Sequence, residues 1–133
     1  MPVVMSHIPA GSSTKTVLHY GQEIKYNGKF QEYDYGTEGN IAKYGCETPP
    51  IYNLTNIDVP LYLIYSTNDY MTGPIDVVRL SKQVKNLFGM YLIPLKKFNH
   101  VDFLFGKDAL QMVYNPLVEV LRNFTNEIAV KMN

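Results

Sequence analysis

Cysteine is all but missing from these 133 residues: the lone Cys46 excludes an internal disulfide and reads as a small structural residue rather than a reactive thiol. Long apolar runs are missing too. The longest, residues 59–65, contains Pro60 and falls far short of the roughly 20 residues that cross a bilayer, so no transmembrane segment is expected. Neither sign of charge dominates, since twelve Lys and Arg balance twelve Asp and Glu without forming a run. That removes the basic footprint of a nucleic-acid binder. Residues 1–7 lack a charged segment followed by an apolar one of about 7 to 15 residues, so they read as no signal peptide. Either the mature protein is cytosolic or its true N-terminus lies upstream. His7, His19 and His100 show no metal-ligand spacing and no glycine-rich phosphate loop occurs, so neither metal nor cofactor is expected. There is also no G-x-S-x-G, and none of Ser6, Ser12, Ser13, Ser66 or Ser81 sits in the strand-turn-helix context that exposes a nucleophile.

What is present is 46% hydrophobic, enough for one compact core and too little for two ordinary domains. Residues 1–133 are therefore read as a single domain or a piece of one. After the turn residues Pro9-Ala10-Gly11-Ser12-Ser13, Val17, Tyr20 and Ile24 recur at helical spacing, predicting a helix over residues 16–26 that ends near Asn27-Gly28. His19 within it reads as a surface or packing residue. Residues 29–56, rich in Tyr, Gly and Asn and containing Pro49-Pro50, predict loop with short strands at most. The continuous apolar run 59–65 has the composition of a parallel strand covered on both faces. A polar break, Ser66-Thr67-Asn68-Asp69, follows it. Pro74 then opens a helix with Val77, Leu80, Ser81 and Val84 on one face, running to about Asn86. Residues 90–95 read as a second buried strand, 98–103 as a loop, and 108–124 as a final helix with Leu110, Val113, Leu117 and Leu121 on one stripe.

The order β-loop-α-β-loop-α predicts an α/β fold with a right-handed parallel crossover, whose ligands gather at the carboxyl ends of the strands. Asp69 and His100 both fall there. Two parallel strands alone would leave long unpaired edges, so further strands are expected from sequence outside this chain.

Two readings fit Asp69. It caps a turn by accepting backbone N–H groups, or it accepts Nδ1–H of an imidazole as the acid of a catalytic triad. His100 is likewise either a solvated loop residue or a base, and it follows Asp69 by one loop, one crossover helix and one strand. Acid then histidine is the order that α/β-hydrolases use after their serine. Asp102, two residues from His100, competes as its partner but reads as making local loop contacts.

Six segments carry a resemblance. They are His7-Ile8-Pro9-Ala10-Gly11-Ser12-Ser13, Gly28-Lys29-Phe30-Gln31-Glu32-Tyr33-Asp34-Tyr35-Gly36, Thr48-Pro49-Pro50-Ile51-Tyr52-Asn53-Leu54, Ile57-Asp58-Val59-Pro60, Asn68-Asp69 and Phe98-Asn99-His100-Val101-Asp102-Phe103. In this order they resemble the animal acid lipases, the group of gastric lipase, lysosomal acid lipase and insect relatives. The likeness spans residues 6–122, about the last third of a typical member, and leaves 123–133 as a tail.

That resemblance implies the C-terminal portion of an α/β-hydrolase fold, with its last parallel strands and helices. It maps Asp69 to the triad acid and His100, within N-H-x-D-F, to the triad histidine. The implied activity is hydrolysis of lipid esters, triacylglycerol or steryl, in a secreted or lysosomal setting, with serine elbow and lid supplied by an upstream part. On that reading the chain by itself is an inactive fragment. The alternative is a short paralogue that has lost catalysis and serves as a binding module through its aromatic residues 33–52. Asn53-Leu54-Thr55 and Asn123-Phe124-Thr125 match the N-glycosylation acceptor pattern and lean towards the secretory route.

Overall fold

The computed structural model describes Ser6, residues 10–26 and residues 28–131, those after residue 126 by backbone alone. His7, with the neighbouring Ile8-Pro9 of the first matching segment, lies outside the described residues, as do residues 1–5 of the leader reading and Asn27 at the expected end of the first helix. The chain forms two compact units, Met1–Asn53 and Leu54–Asn133.

In the first unit, helix α1 spans Thr14–Lys25. Its apolar stripe Val17, Tyr20 and Ile24 is exposed, and the helix holds the following segment through polar side chains instead. Nε2 of His19 lies 2.9 Å from the carbonyl of Gln31, and Gln22 bonds both the N–H and the carbonyl of Asp34. A short antiparallel bridge joins Gln31 to Ile51.

Between them stands a helix that the sequence reading placed in a loop: α2, Thr37–Tyr44. Four turn-forming residues, Gly36, Gly39, Asn40 and Gly45, mask it. Gly45 is in fact its stop, in the left-handed region at φ 74° with its N–H on the Ile41 carbonyl. Glu38 in the first turn suits the positive end of the helix. Asn40 is buried and earns its place through three bonds, donating to Asp34 and to the Glu47 carbonyl and accepting from the Tyr35 N–H.

The second unit holds a two-stranded parallel sheet of β1, Leu61–Tyr65, and β2, Leu87–Leu92, connected through helix α3, Pro74–Ser81. Pro74 occupies the first turn, where a missing N–H costs nothing. The second strand lies three residues earlier than expected, and two residues explain the offset. Pro94 has no N–H to extend a ladder, so the pairing closes with the Ile93 N–H on the Tyr65 carbonyl. Gly89, which interrupts the apolar run, sits under the Tyr62 ring, where a Cβ would come within 2.7 Å of Cε2.

The expectation of strands buried on both faces is also corrected. β1 is half-buried along its length, and Leu87, Phe88 and Leu92 are exposed, because among the described residues few elements cover this narrow sheet.

Asp102–Phe105 form a short helix, α4, in part of the stretch read as loop. The last helix is not uniform either. Leu110–Tyr114 form a wider π turn, in which the Asn115 N–H reaches back to the Leu110 carbonyl, before α5 continues over Asn115–Lys131. Pro116 explains the slip, since it cannot donate to the carbonyl four residues before it. The inward stripe is shifted accordingly. Val113 is buried and Leu117 half-buried as expected, but Leu110 and Leu121 are exposed, and Phe124 meets Phe88 edge-on at 5.1 Å.

The core is formed by Ile93, Phe98 and Val113, with Ile64, Tyr91, Phe103 and Met112 packed on it. It lies around the carboxyl ends of the strands, under the loops that carry Asp69 and His100. No helix among the described residues is long and apolar enough to cross a membrane.

Candidate active site

The site is built on two adjacent loops, one leaving each parallel strand. Ser66, directly after β1, is fully buried and donates its hydroxyl to the carbonyl of Phe98 at 2.7 Å. Asn68 donates to the carbonyl of Lys97 at 3.0 Å. The two loops are thus stitched together just before each presents its ionisable side chain. Phe98 itself is buried in the core and meets Phe103 edge-on at 5.0 Å, which fixes the base of the second loop.

Asp69 is buried and its carboxylate is saturated with donors. Oδ1 accepts the N–H groups of Met71 and Thr72, at 2.9 and 2.8 Å. Oδ2 accepts the Thr72 hydroxyl at 2.6 Å and lies 3.0 Å from Nδ1 of His100. Capping a turn and facing the imidazole are therefore both true of Asp69. Burial pushes its pKa up, but the bonds from Thr72, His100 and Met71 outweigh that and hold the carboxyl below the ordinary aspartate range.

His100 rides on a tight turn whose two ends bond each other. The side chain of Asn99 accepts the N–H groups of Val101 and Asp102, while the Asp102 carboxylate accepts the Asn99 N–H at 2.8 Å. This reciprocal pairing has the form of a capping box at the entry to α4. It occupies Asp102 locally and leaves Asp69 as the carboxylate that meets His100. Exposure divides the pair: the His100 side chain is 46% exposed and that of Asp69 only 3%. A neutral imidazole that gives its Nδ1–H to a carboxylate presents Nε2 as an acceptor.

No family model matches the chain. It is 42% identical over 120 residues to "Lipase 1" of Drosophila melanogaster, covering 90% of the chain and 27% of that protein. To "Gastric triacylglycerol lipase" of Bos taurus it is 39% identical over 122 residues, covering 91% of the chain and 30% of the relative. "Lipase member K" of Homo sapiens matches at 36% over 125 residues, covering 93% and 31%. The chain is similar to these lipases along about nine tenths of its own length. It spans about 30% of the length of these relatives.

Within this chain the serines are placed as follows. Ser66 is committed to Phe98, Ser81 donates to the Val78 carbonyl of its own helix, Ser12 and Ser13 stand exposed before α1, and Ser6 is exposed in a turn. Cys46 is exposed, with its thiol on the Thr48 carbonyl, and Nε2 of His19 lies 3.3 Å from a carboxylate oxygen of Glu23. Among the described residues no group of three or more His, Cys, Asp and Glu could hold a metal. Asn53 and Asn123 are both exposed, the latter within α5.

Three residues of the site escaped the sequence reading in this role: Ser66, Asn68 and Thr72. Thr72 left a faint signal, because a hydroxyl residue three positions after an aspartate is the spacing of local side-chain capping. Ser66 and Asn68 left none, since their partners lie on the other loop.

Proposed function

We propose that this chain supplies the acid and the general base of an ester-hydrolysing triad, carried on the last parallel strands of an α/β-hydrolase. The observation that supports it most is the 3.0 Å contact between Oδ2 of buried Asp69 and Nδ1 of half-exposed His100. Asp69 holds the imidazole in the Nδ1–H tautomer and stabilises the imidazolium as it forms. Nε2 of His100 takes the proton of a serine hydroxyl as that oxygen attacks the ester carbonyl, then returns it to the departing alcohol. The serine comes from outside these 133 residues, so the chain alone turns over no ester.

The substrate class proposed is a lipid ester, as the relatives' name "Gastric triacylglycerol lipase" suggests. A secreted or lysosomal location goes with that reading, and exposed Asn53 and Asn123 suit glycan addition in that route. The test is a hybrid in which residues of this chain replace the matching segment of the Bos taurus relative. The hybrid is expected to hydrolyse p-nitrophenyl esters and to be labelled by a serine-directed fluorophosphonate, whereas the 133-residue chain does neither. A folded hybrid without turnover, or a labelled and active isolated chain, would contradict the proposal.

A further inference from the structure

We propose that Thr72 is a positioning residue for the Asp69–His100 pair, its hydroxyl fixing the carboxylate oxygen that faces the imidazole. This rests on the triad reading for its functional meaning, but the contact itself can be tested without catalysis. An ionised carboxylate offers about four acceptor directions, and here four donors fill them. Thr72 supplies two of the four, one to each oxygen. Its backbone N–H, with that of Met71, fixes Oδ1 and closes the turn. Its hydroxyl goes to the other oxygen, the one shared with His100.

That division separates a turn-forming role from a positioning role. The turn needs only the N–H groups, which any residue but proline retains. The hydroxyl bond is charge-assisted and, at 2.6 Å, shorter than the His100 contact at 3.0 Å. It lies on Oδ2, so it limits rotation of the carboxylate away from Nδ1 of His100. The threonine is well suited to this, because β-branching restricts χ1 and so holds the hydroxyl in one direction. Gly73 and Pro74 then lead straight into α3, anchoring the backbone of Thr72 to a helix. The groups bonded to the Asp69 carboxylate are His100, Thr72 and Met71.

The experiment uses the 133-residue chain itself. Thr72→Val removes the hydroxyl while keeping shape and N–H, Thr72→Ala is a second hydroxyl-less variant, and Thr72→Ser restores the hydroxyl. Side-chain NMR reads two quantities in each folded variant: the carboxyl-carbon titration midpoint of Asp69 and the share of neutral His100 protonated at Nδ1. Both hydroxyl-less variants are expected to raise the Asp69 midpoint towards the ordinary range and to lower the Nδ1–H share, and Thr72→Ser to restore both. Wild-type values in the Val or Ala variant, or failure of Ser to restore them, would overturn the proposal. The triad reading fails separately, by a hybrid enzyme that tolerates loss of His100 while these NMR readings behave as expected.

Discussion

The hydroxyl of Ser66 donates to the carbonyl of Phe98 at 2.7 Å, and both residues are buried. This bond joins the loop after β1 to the loop after β2, three residues before Asp69 and two before His100. Ser66→Ala would leave the Phe98 carbonyl buried without its partner, at a cost of about 1–3 kcal/mol. Urea denaturation monitored by tyrosine fluorescence should show a lowered midpoint at unchanged slope. An unchanged midpoint would mean that the clamp contributes nothing.

Asp69 should leave a signature in the acid limb of stability. Its folded pKa is lowered below the ordinary 3.8, so the unfolded chain binds the proton more readily. The stability it contributes is therefore fully present above that ordinary value and is lost as pH falls from there through the lowered folded value. Asp69→Asn cannot ionise and should flatten this part of a thermal-denaturation pH series. An identical acid limb in wild type and Asp69→Asn would contradict the assignment of the four donors to an ionised carboxylate.

The turn that presents His100 depends on Asn99, whose side chain accepts from Val101 and Asp102. Replacing a capping side chain by alanine costs about 0.5–2 kcal/mol. Asn99→Ala is expected to lower the melting temperature and to weaken the nuclear Overhauser contact between the His100 ring and the Asp69 β-protons. Asn99→Asp, which keeps the acceptor, should restore both. Loss of stability without any change at His100 would separate the cap from the site.

Much of this arrangement is legible in the sequence, for physical reasons that differ from residue to residue. The run before Ser66 is continuous and β-branched or aromatic enough to be a parallel strand, and the polar break after it ends the strand at Tyr65. Loops bearing Asp69 and His100 then fall at the same end of two neighbouring strands because the strands run parallel. Helix α2 was hidden because Gly36, Gly39, Asn40 and Gly45 signal turns one by one, and the buried bonds of Asn40 that favour the helix are tertiary. The start of β2 is hidden because Gly89 interrupts the apolar run, and the room it leaves for the Tyr62 ring is a tertiary matter. The roles of Ser66 and Asn68 are not local at all, since each reaches a carbonyl about thirty residues away, at Phe98 and Lys97.

The pairing of Asp69 with His100 carries a steep kinetic requirement. The most direct test is the rate of p-nitrophenyl ester hydrolysis by the hybrid with the Bos taurus relative, comparing His100→Ala and Asp69→Asn with the unsubstituted hybrid. Losses of roughly four or more orders of magnitude in kcat for His100→Ala, and of about four for Asp69→Asn, are expected of a triad base and its orienting acid. Near-parental turnover in a folded His100→Ala hybrid would remove His100 from the chemistry and contradict the proposed function.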